Sequence, residues 1–175
     1  LYMDIYEPDA SKVTCEDGKQ RPTIVHVFGG GFKEGSRAET WLRPWFREMN
    51  AKGYRMITID YRLGLKGVRG VTQSEFARLL DNAINIAVED LFSATEYLLK
   101  NGASMGIDPN NIVVTGSSAG AITVQQAEWE ICNSTPLAAG LPEGFNYKGV
   151  MAFAGAVLVD GPLGYKSAPC PVMMF

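Results

Sequence analysis

Gly116-Ser117-Ser118-Ala119-Gly120 is a G-x-S-x-G pentapeptide. It lies between an apolar, β-branched run, Ile112–Thr115, and a helical pattern that begins near Ala119. A serine at such a strand–turn–helix corner has the setting of an acyl-transfer nucleophile. The turn strains the central residue, so bulk at either flanking glycine would meet neighbouring backbone. That strain projects Ser118 Oγ outward, and the positive end of the following helix faces negative charge as it develops. The competing interpretation is a Gly/Ser turn that only joins strand to helix.

A second stretch, Ile24–Phe32 (IVHVFGGGF), holds the single histidine of the 175 residues, His26, just ahead of Gly29-Gly30-Gly31. Phosphate-binding interpretations of this loop fail on spacing. G-x-G-x-x-G would need glycine where Glu34 stands, and a Walker A loop would need lysine where Ser36 stands. Nucleotide binding is therefore not expected. The three cysteines, Cys15, Cys132 and Cys170, are scattered and form no C-x-x-C, so neither a disulfide framework nor a metal site is expected. One disulfide among them stays open, and with it the redox compartment.

These groups need elements to position them. The chain has 46% hydrophobic and 20% charged residues with net charge −3, ordinary for one globular domain over residues 1–175. No basic patch points to nucleic acid. No apolar run approaches the roughly 18 residues of a membrane span. Strand and helix patterns alternate, which predicts an α/β fold with a mostly parallel sheet flanked by helices. Strands are expected at Leu1–Tyr6, Thr23–Phe28, Arg55–Asp60, Ile112–Thr115, Lys148–Ala154 and Pro171–Phe175. Trp41–Lys52 reads as a short helix, capped by Thr40, with Pro44 in its first turn and Gly53 past its end. Thr72-Gln-Ser-Glu75 is a capping box. After it Phe76, Leu79, Leu80, Ala83, Ile84, Val88, Leu91, Thr95 and Leu98 recur at three and four, a helical stripe ended by Gly102. A further helix runs from Ala119 to Cys132, and a Pro/Gly-rich loop covers 133–147. The chain opens in LYMDIY and stops in PCPVMMF, both strand-like, so it reads as incomplete at both ends.

Together Phe28-Gly29-Gly30-Gly31-Phe32, Asp60-Tyr61-Arg62 and Gly116–Gly120 resemble the α/β-hydrolase superfamily, in its carboxylesterase/lipase branch with a glycine-triplet oxyanion loop. The similarity covers nearly the whole chain. It implies that Ser118 is the nucleophile on an ester carbonyl. It implies that the backbone N–H groups of Ala119, Gly30 and Gly31 stabilise the oxyanion. Glycine suits a loop whose backbone must approach the substrate oxygen. Losing one such donor costs about 3–4 kcal/mol of transition-state stabilisation.

Many relatives place histidine directly before the glycines, where this chain has Phe28. His26 instead lies within the strand, on Phe28's face by period two. It is expected to pack beneath the loop with a ring nitrogen bonded to backbone. The resemblance puts the triad acid and histidine after the last strand, beyond Phe175. Asp160 is the one acid in an alternative position, and a turn cap at Asp160-Gly161-Pro162 is the stronger interpretation. The full-length parent is therefore expected to be an esterase and this chain alone nearly inert, with an apolar sheet edge at Pro171–Phe175.

Other polar residues have plainer roles. Asp60 and Arg62 form a structural ion pair by the family pattern, or are solvated turn charges. Asp90 is expected to pair with a loop cation or backbone amides, Glu75 to cap, and Glu89 to be a surface charge. Trp41, Trp45 and Phe46 either wall a substrate or pack a helix on the sheet. Residues 134–147 are the candidate for a small cap, since Val157–Ala168 is too short for a lid. The resemblance favours small-molecule or polysaccharide-linked carboxylesters, including acetyl and feruloyl esters, without cofactor or metal. It favours a secreted or periplasmic location over the cytoplasm. A non-catalytic binding protein and a serine peptidase of the same fold are the alternatives.

Overall fold

The computed structural model describes residues 1–160 and 164–175. Its strands are Met3–Tyr6 (β1), Thr23–Val27 (β2), Arg55–Ile59 (β3), Ile112–Ser117 (β4), Gly149–Phe153 (β5) and Val172–Met174 (β6). They form one sheet in the order β1-β3-β2-β4-β5-β6. Only the β1–β3 pair is antiparallel. The β2–β3, β2–β4 and β4–β5 pairs are parallel because the chain passes through a helix before re-entering the sheet. Every residue of β2 is buried, which explains its nearly unbroken apolar run.

Arg43–Ala51 (α1) covers one face of the sheet, while Gln73–Asn101 (α2) and Ala119–Asn133 (α3) cover the other. On the α2/α3 face Val25, Val27, Ile57, Ile59, Val114 and Val150 meet Ala83, Ile84, Val88, Leu91 and Leu98 of α2 and Val124 of α3. Each fully buried aliphatic side chain contributes about 1.5–3 kcal/mol. On the α1 face Ile24 and Met56 meet Leu42 and Phe46 in a smaller cluster.

Helix ends obey their local chemistry, with one correction. Thr72 Oγ1 accepts from the Glu75 N–H at 3.3 Å and Glu75 Oε2 accepts from the Thr72 N–H at 2.8 Å, closing the capping box of α2. Phe76 is 37% exposed, with Lys33 Nζ 5.6 Å from its ring centre. The buried stripe therefore begins further along, at Ala83. Thr40 does not cap α1. It opens a 3₁₀ turn, Thr40–Leu42, which feeds the helix without a side-chain cap, and Pro44 sits in the first turn. Gly53 lies just past α1 at φ 91°, with a Cβ position 2.0 Å from the Lys12 carbonyl oxygen, so only glycine fits.

β6 is the outer strand, with Val172, Met173, Met174 and Phe175 exposed. Asp160 has φ 53°. Gly161 and Pro162 fall outside the described residues, and so does the turn cap expected there.

Candidate active site

β4 runs straight into α3, and Ser118 is the residue between them. It has φ 50° and ψ −118°, a strained backbone for a residue with a Cβ. Ser118 is exposed while Gly116, Ala119 and Gly120 around it are buried. A Cβ on Gly116 would lie 2.3 Å from the Gly120 carbonyl carbon. A Cβ on Gly120 would lie 2.0 Å from the Val27 carbonyl oxygen. Both glycines are thus demanded by backbone packing: Gly116 lets α3 start over the strand, and Gly120 lets α3 press on the end of β2. The Ser118 N–H donates to the Phe153 carbonyl at 2.8 Å, tying the corner to β5.

The glycine loop leaves β2 beside this corner. The Cβ position of Gly29 is 2.9 Å from the Ser117 carbonyl oxygen and 3.4 Å from Ser118 Cβ. Gly30 has φ 112°, and a Cβ there would strike the Glu34 carbonyl oxygen at 2.1 Å. Its own carbonyl accepts from Lys33 and Glu34, so the loop closes as a tight turn. Gly31 has φ 61° with open space around its Cβ position. Among the described residues the N–H groups of Gly30, Gly31 and Ala119 donate to no protein acceptor.

Tyr61, the middle residue of Asp60-Tyr61-Arg62, holds the loop. Its hydroxyl donates to the Phe28 carbonyl at 3.0 Å, and its ring stacks on Phe28 at 4.3 Å between centroids. Burial raises the Tyr61 pKa, so the group stays a donor. Phe28 itself turns into the α2/α3 cluster, because β2 ends at Val27 and period two ends with it.

His26 is therefore not on Phe28's face. It is 4% exposed and packs edge-on to Trp45 and Phe46, with centroids 5.6 and 5.8 Å away. The backbone hydrogen bond expected for it is absent: among the described residues neither ring nitrogen has a partner. Burial alone lowers its pKa to about 4, so the ring is neutral near pH 7. Its register partner on β4 is Thr115, three residues before Ser118. At about 3.3 Å per strand residue, that leaves His26 about 10 Å below the serine. His26, Thr115 and Ser117 line a cavity of about 460 Å³ with Trp41, Leu42, Trp45 and Phe153. Phe46 is buried packing, whereas Trp41 is 65% exposed at the cavity rim.

Asp60 and Arg62 do not pair with each other. Arg37, unremarked in the sequence, bridges Asp60 and Asp4 at 2.5 and 2.9 Å. Arg62 turns to α2, where Asp90 accepts from its backbone N–H at 2.7 Å and from Nε at 3.0 Å. Asp90 thus takes both kinds of donor expected for it. Glu89 accepts from Arg62 Nη2 at 2.8 Å.

The segment 134–147 is not a cap over Ser118. It begins at the far end of α3, whose 15 residues span about 22 Å. There it packs on the core through Leu137, Ala138, Leu141 and Phe145. Val159 and Gly164 lie against α3: the Gln126 amide exchanges hydrogen bonds with Val159, and Trp129 Nε1 donates to the Gly164 carbonyl at 2.8 Å.

The family model described as BD-FAE matches residues 3–127 of the chain. Secreted lipase 1 of Botryotinia fuckeliana (strain B05.10) is 28% identical over 165 residues, covering 93% of this chain and 26% of that protein. Neuroligin-like protein glit-1 of Caenorhabditis elegans is 32% identical over 124 residues, covering 71% of this chain and 15% of that protein. Among solved structures, a thermophilic esterase from the Planctomycetes species Thermogutta terrifontis superposes with a TM-score of 0.61 at 25% identity, over 95% of this chain and 52% of that one. Its butyrate-bound form gives the same TM-score and identity over 94% and 51%. The chain thus spans about a quarter or less of the two curated relatives and about half of the solved enzyme. With more than half its length inside the matching model and a fold that superposes on a solved esterase, the chain belongs to the BD-FAE family and has the α/β-hydrolase fold.

Proposed function

We propose that residues 1–175 form a single α/β unit carrying the nucleophile and oxyanion loop of a serine carboxylesterase. The observation that carries this is the corner at Ser118: an exposed serine at φ 50°, fixed between two glycines that backbone contact requires, beside an open glycine loop. Ser118 Oγ attacks the ester carbonyl and forms an acyl-enzyme. The N–H groups of Gly30, Gly31 and Ala119 receive the oxyanion, and Tyr61 holds the loop that presents two of them. A serine needs a base to be a competent nucleophile. His26 cannot serve, being buried about 10 Å below Ser118. The base must come from outside these residues.

Small acyl groups are the favoured substrates. The similar Thermogutta terrifontis enzyme is solved with butyrate bound. Acetyl esters of polysaccharides belong to the same class, and feruloyl esters extend it to a bulkier aromatic acyl group. The relative named as a secreted lipase favours an extracellular site of action. Among the described residues no helix is long and apolar enough to cross a membrane. A non-catalytic binding role is the alternative, and the intact Ser118 corner with its glycine loop argues against it.

Turnover of p-nitrophenyl acetate and butyrate by the full-length protein and its Ser118→Ala variant tests the assignment. Loss of the serine is expected to lower kcat by about 10⁵–10⁶. Equal rates would remove Ser118 from the mechanism and leave the binding role.

A further inference from the structure

The C-terminal end of α3 is unusually polar for a buried helix. Glu128 and Cys132 are buried one turn apart, 1% and 2% exposed. Glu128 Oε1 accepts from Cys132 Sγ at 3.4 Å and from the Cys170 backbone N–H at 2.6 Å. One carboxylate oxygen therefore collects both cysteines. The Cys132 sulfur and the Cys170 nitrogen cannot be farther apart than those two legs together allow. Ser167 reinforces the placement, donating from its N–H and its hydroxyl to the Cys132 carbonyl at 3.2 and 3.0 Å. The lead-in to β6 is thereby laid along the last turn of α3. Glu128 Oε2 has no partner among the described residues.

We propose that Cys132 and Cys170 are a thiol pair that closes to an intrachain disulfide when the protein meets an oxidised low-molecular-weight disulfide. Cys170 is the more exposed of the two and reacts first. Its thiolate attacks one sulfur of the small disulfide, breaks that S–S bond and releases one small thiol. Cys132 then attacks Cys170 Sγ in the mixed disulfide, forms the Cys132–Cys170 bond and expels the second small thiol. Two protein thiols are oxidised, one small disulfide is reduced to two thiols, and the two protons end on those thiols. Cys170 must first leave its contact with the Pro171 carbonyl, 3.8 Å away. The product ties the end of α3 to the entry of β6.

Burial and Glu128 together slow the exchange. Burial first, and the Glu128 charge second, raise both thiols, Cys132 to about 11 and Cys170 further. Exchange runs through the thiolate, so the carboxylate that gathers the pair also slows its closure. Cys15 lies on the N-terminal loop and touches neither cysteine. It serves as an internal control.

The test incubates the native protein with oxidised glutathione, alkylates free thiols with iodoacetamide and maps non-reduced peptides. A Cys132–Cys170 peptide pair with alkylated Cys15 is expected, and Glu128→Gln should form it several-fold faster. In Cys132→Ser the resolving thiol is missing, so glutathione should remain on Cys170. The same reaction in urea should scatter pairing among all three cysteines. Native pairing that matches the urea pattern, pairing through Cys15, or an unmodified Cys170 in Cys132→Ser would overturn the proposal.

Discussion

The two faces of the sheet are built on different principles. Toward α2 and α3 the strands present Val25, Val27, Ile57, Ile59, Val114 and Val150, each at most 1% exposed. Where this side buries hydroxyls in its helices, they are paired: Thr95 Oγ1 donates to the Leu91 carbonyl at 2.9 Å and meets Tyr147 Oη at 2.8 Å. Toward α1 the same strands present His26 and Thr115, in register with each other and both without partners among the described residues. Nine residues of α1 cover this side, against twenty-nine and fifteen on the other. The difference locates rigidity. The strained corner at Ser118 belongs to α3, on the dense face, where a packed neighbour can hold an unfavourable φ. The looser face lies below the site and bears on stability more than on chemistry.

The largest expected effect is on the dense face. Gly120→Ala puts a methyl group into the backbone of β2 and should cost at least about 3 kcal/mol, read from urea unfolding midpoints. A midpoint like that of the parent would show that α3 does not depend on this close approach.

The next concerns the loose face and acid. His26 has a depressed folded pKa, about 4 against the ordinary 6.5. The unfolded chain therefore binds the proton first as pH falls, so stability declines from pH 6.5 down to about 4. The full decline is about 3 kcal/mol, from the shift of about 2.5 units. His26→Leu should flatten this part of the pH profile. An unchanged slope would mean that the imidazole is solvated or paired.

A matched pair sharpens the contrast further. Thr95→Val breaks two buried hydrogen bonds and should cost about 1–2 kcal/mol. Thr115→Val removes a hydroxyl with no partner and should be close to neutral. Equal costs would erase the distinction between the faces. Smallest is the exposed cap of α2: Thr72→Ala should lose about 1 kcal/mol. A loss near zero would place the stability of α2 wholly in its packing.

The features legible in the sequence are those that the backbone writes locally. Gly116, Gly120 and the Gly29–Gly31 run are spelled out by residues that only tight turns and close approaches require. The capping box at Thr72–Glu75 is legible for the same reason. Partners set by tertiary neighbours are not. Arg37 reaches Asp60 across 23 positions, and Arg62 reaches Asp90 across 28. The sequence leads one to expect a backbone partner for His26, yet parallel ladders on both sides occupy that backbone and leave the imidazole packed edge-on to Trp45 and Phe46. The place of segment 134–147, by contrast, has a signal in the chain itself. A helix of some fifteen residues carries the next segment to the opposite end of the fold from Ser118.

Covalent labelling of the serine is the most direct measure of the central claim. The full-length protein, treated with a p-nitrophenyl alkylphosphonate, should release one equivalent of p-nitrophenol and gain one phosphonyl group. Peptide mapping should place that group on Ser118, and Ser118→Ala should take up none. Absence of labelling, or labelling at another residue while Ser118 stays free, would contradict the account.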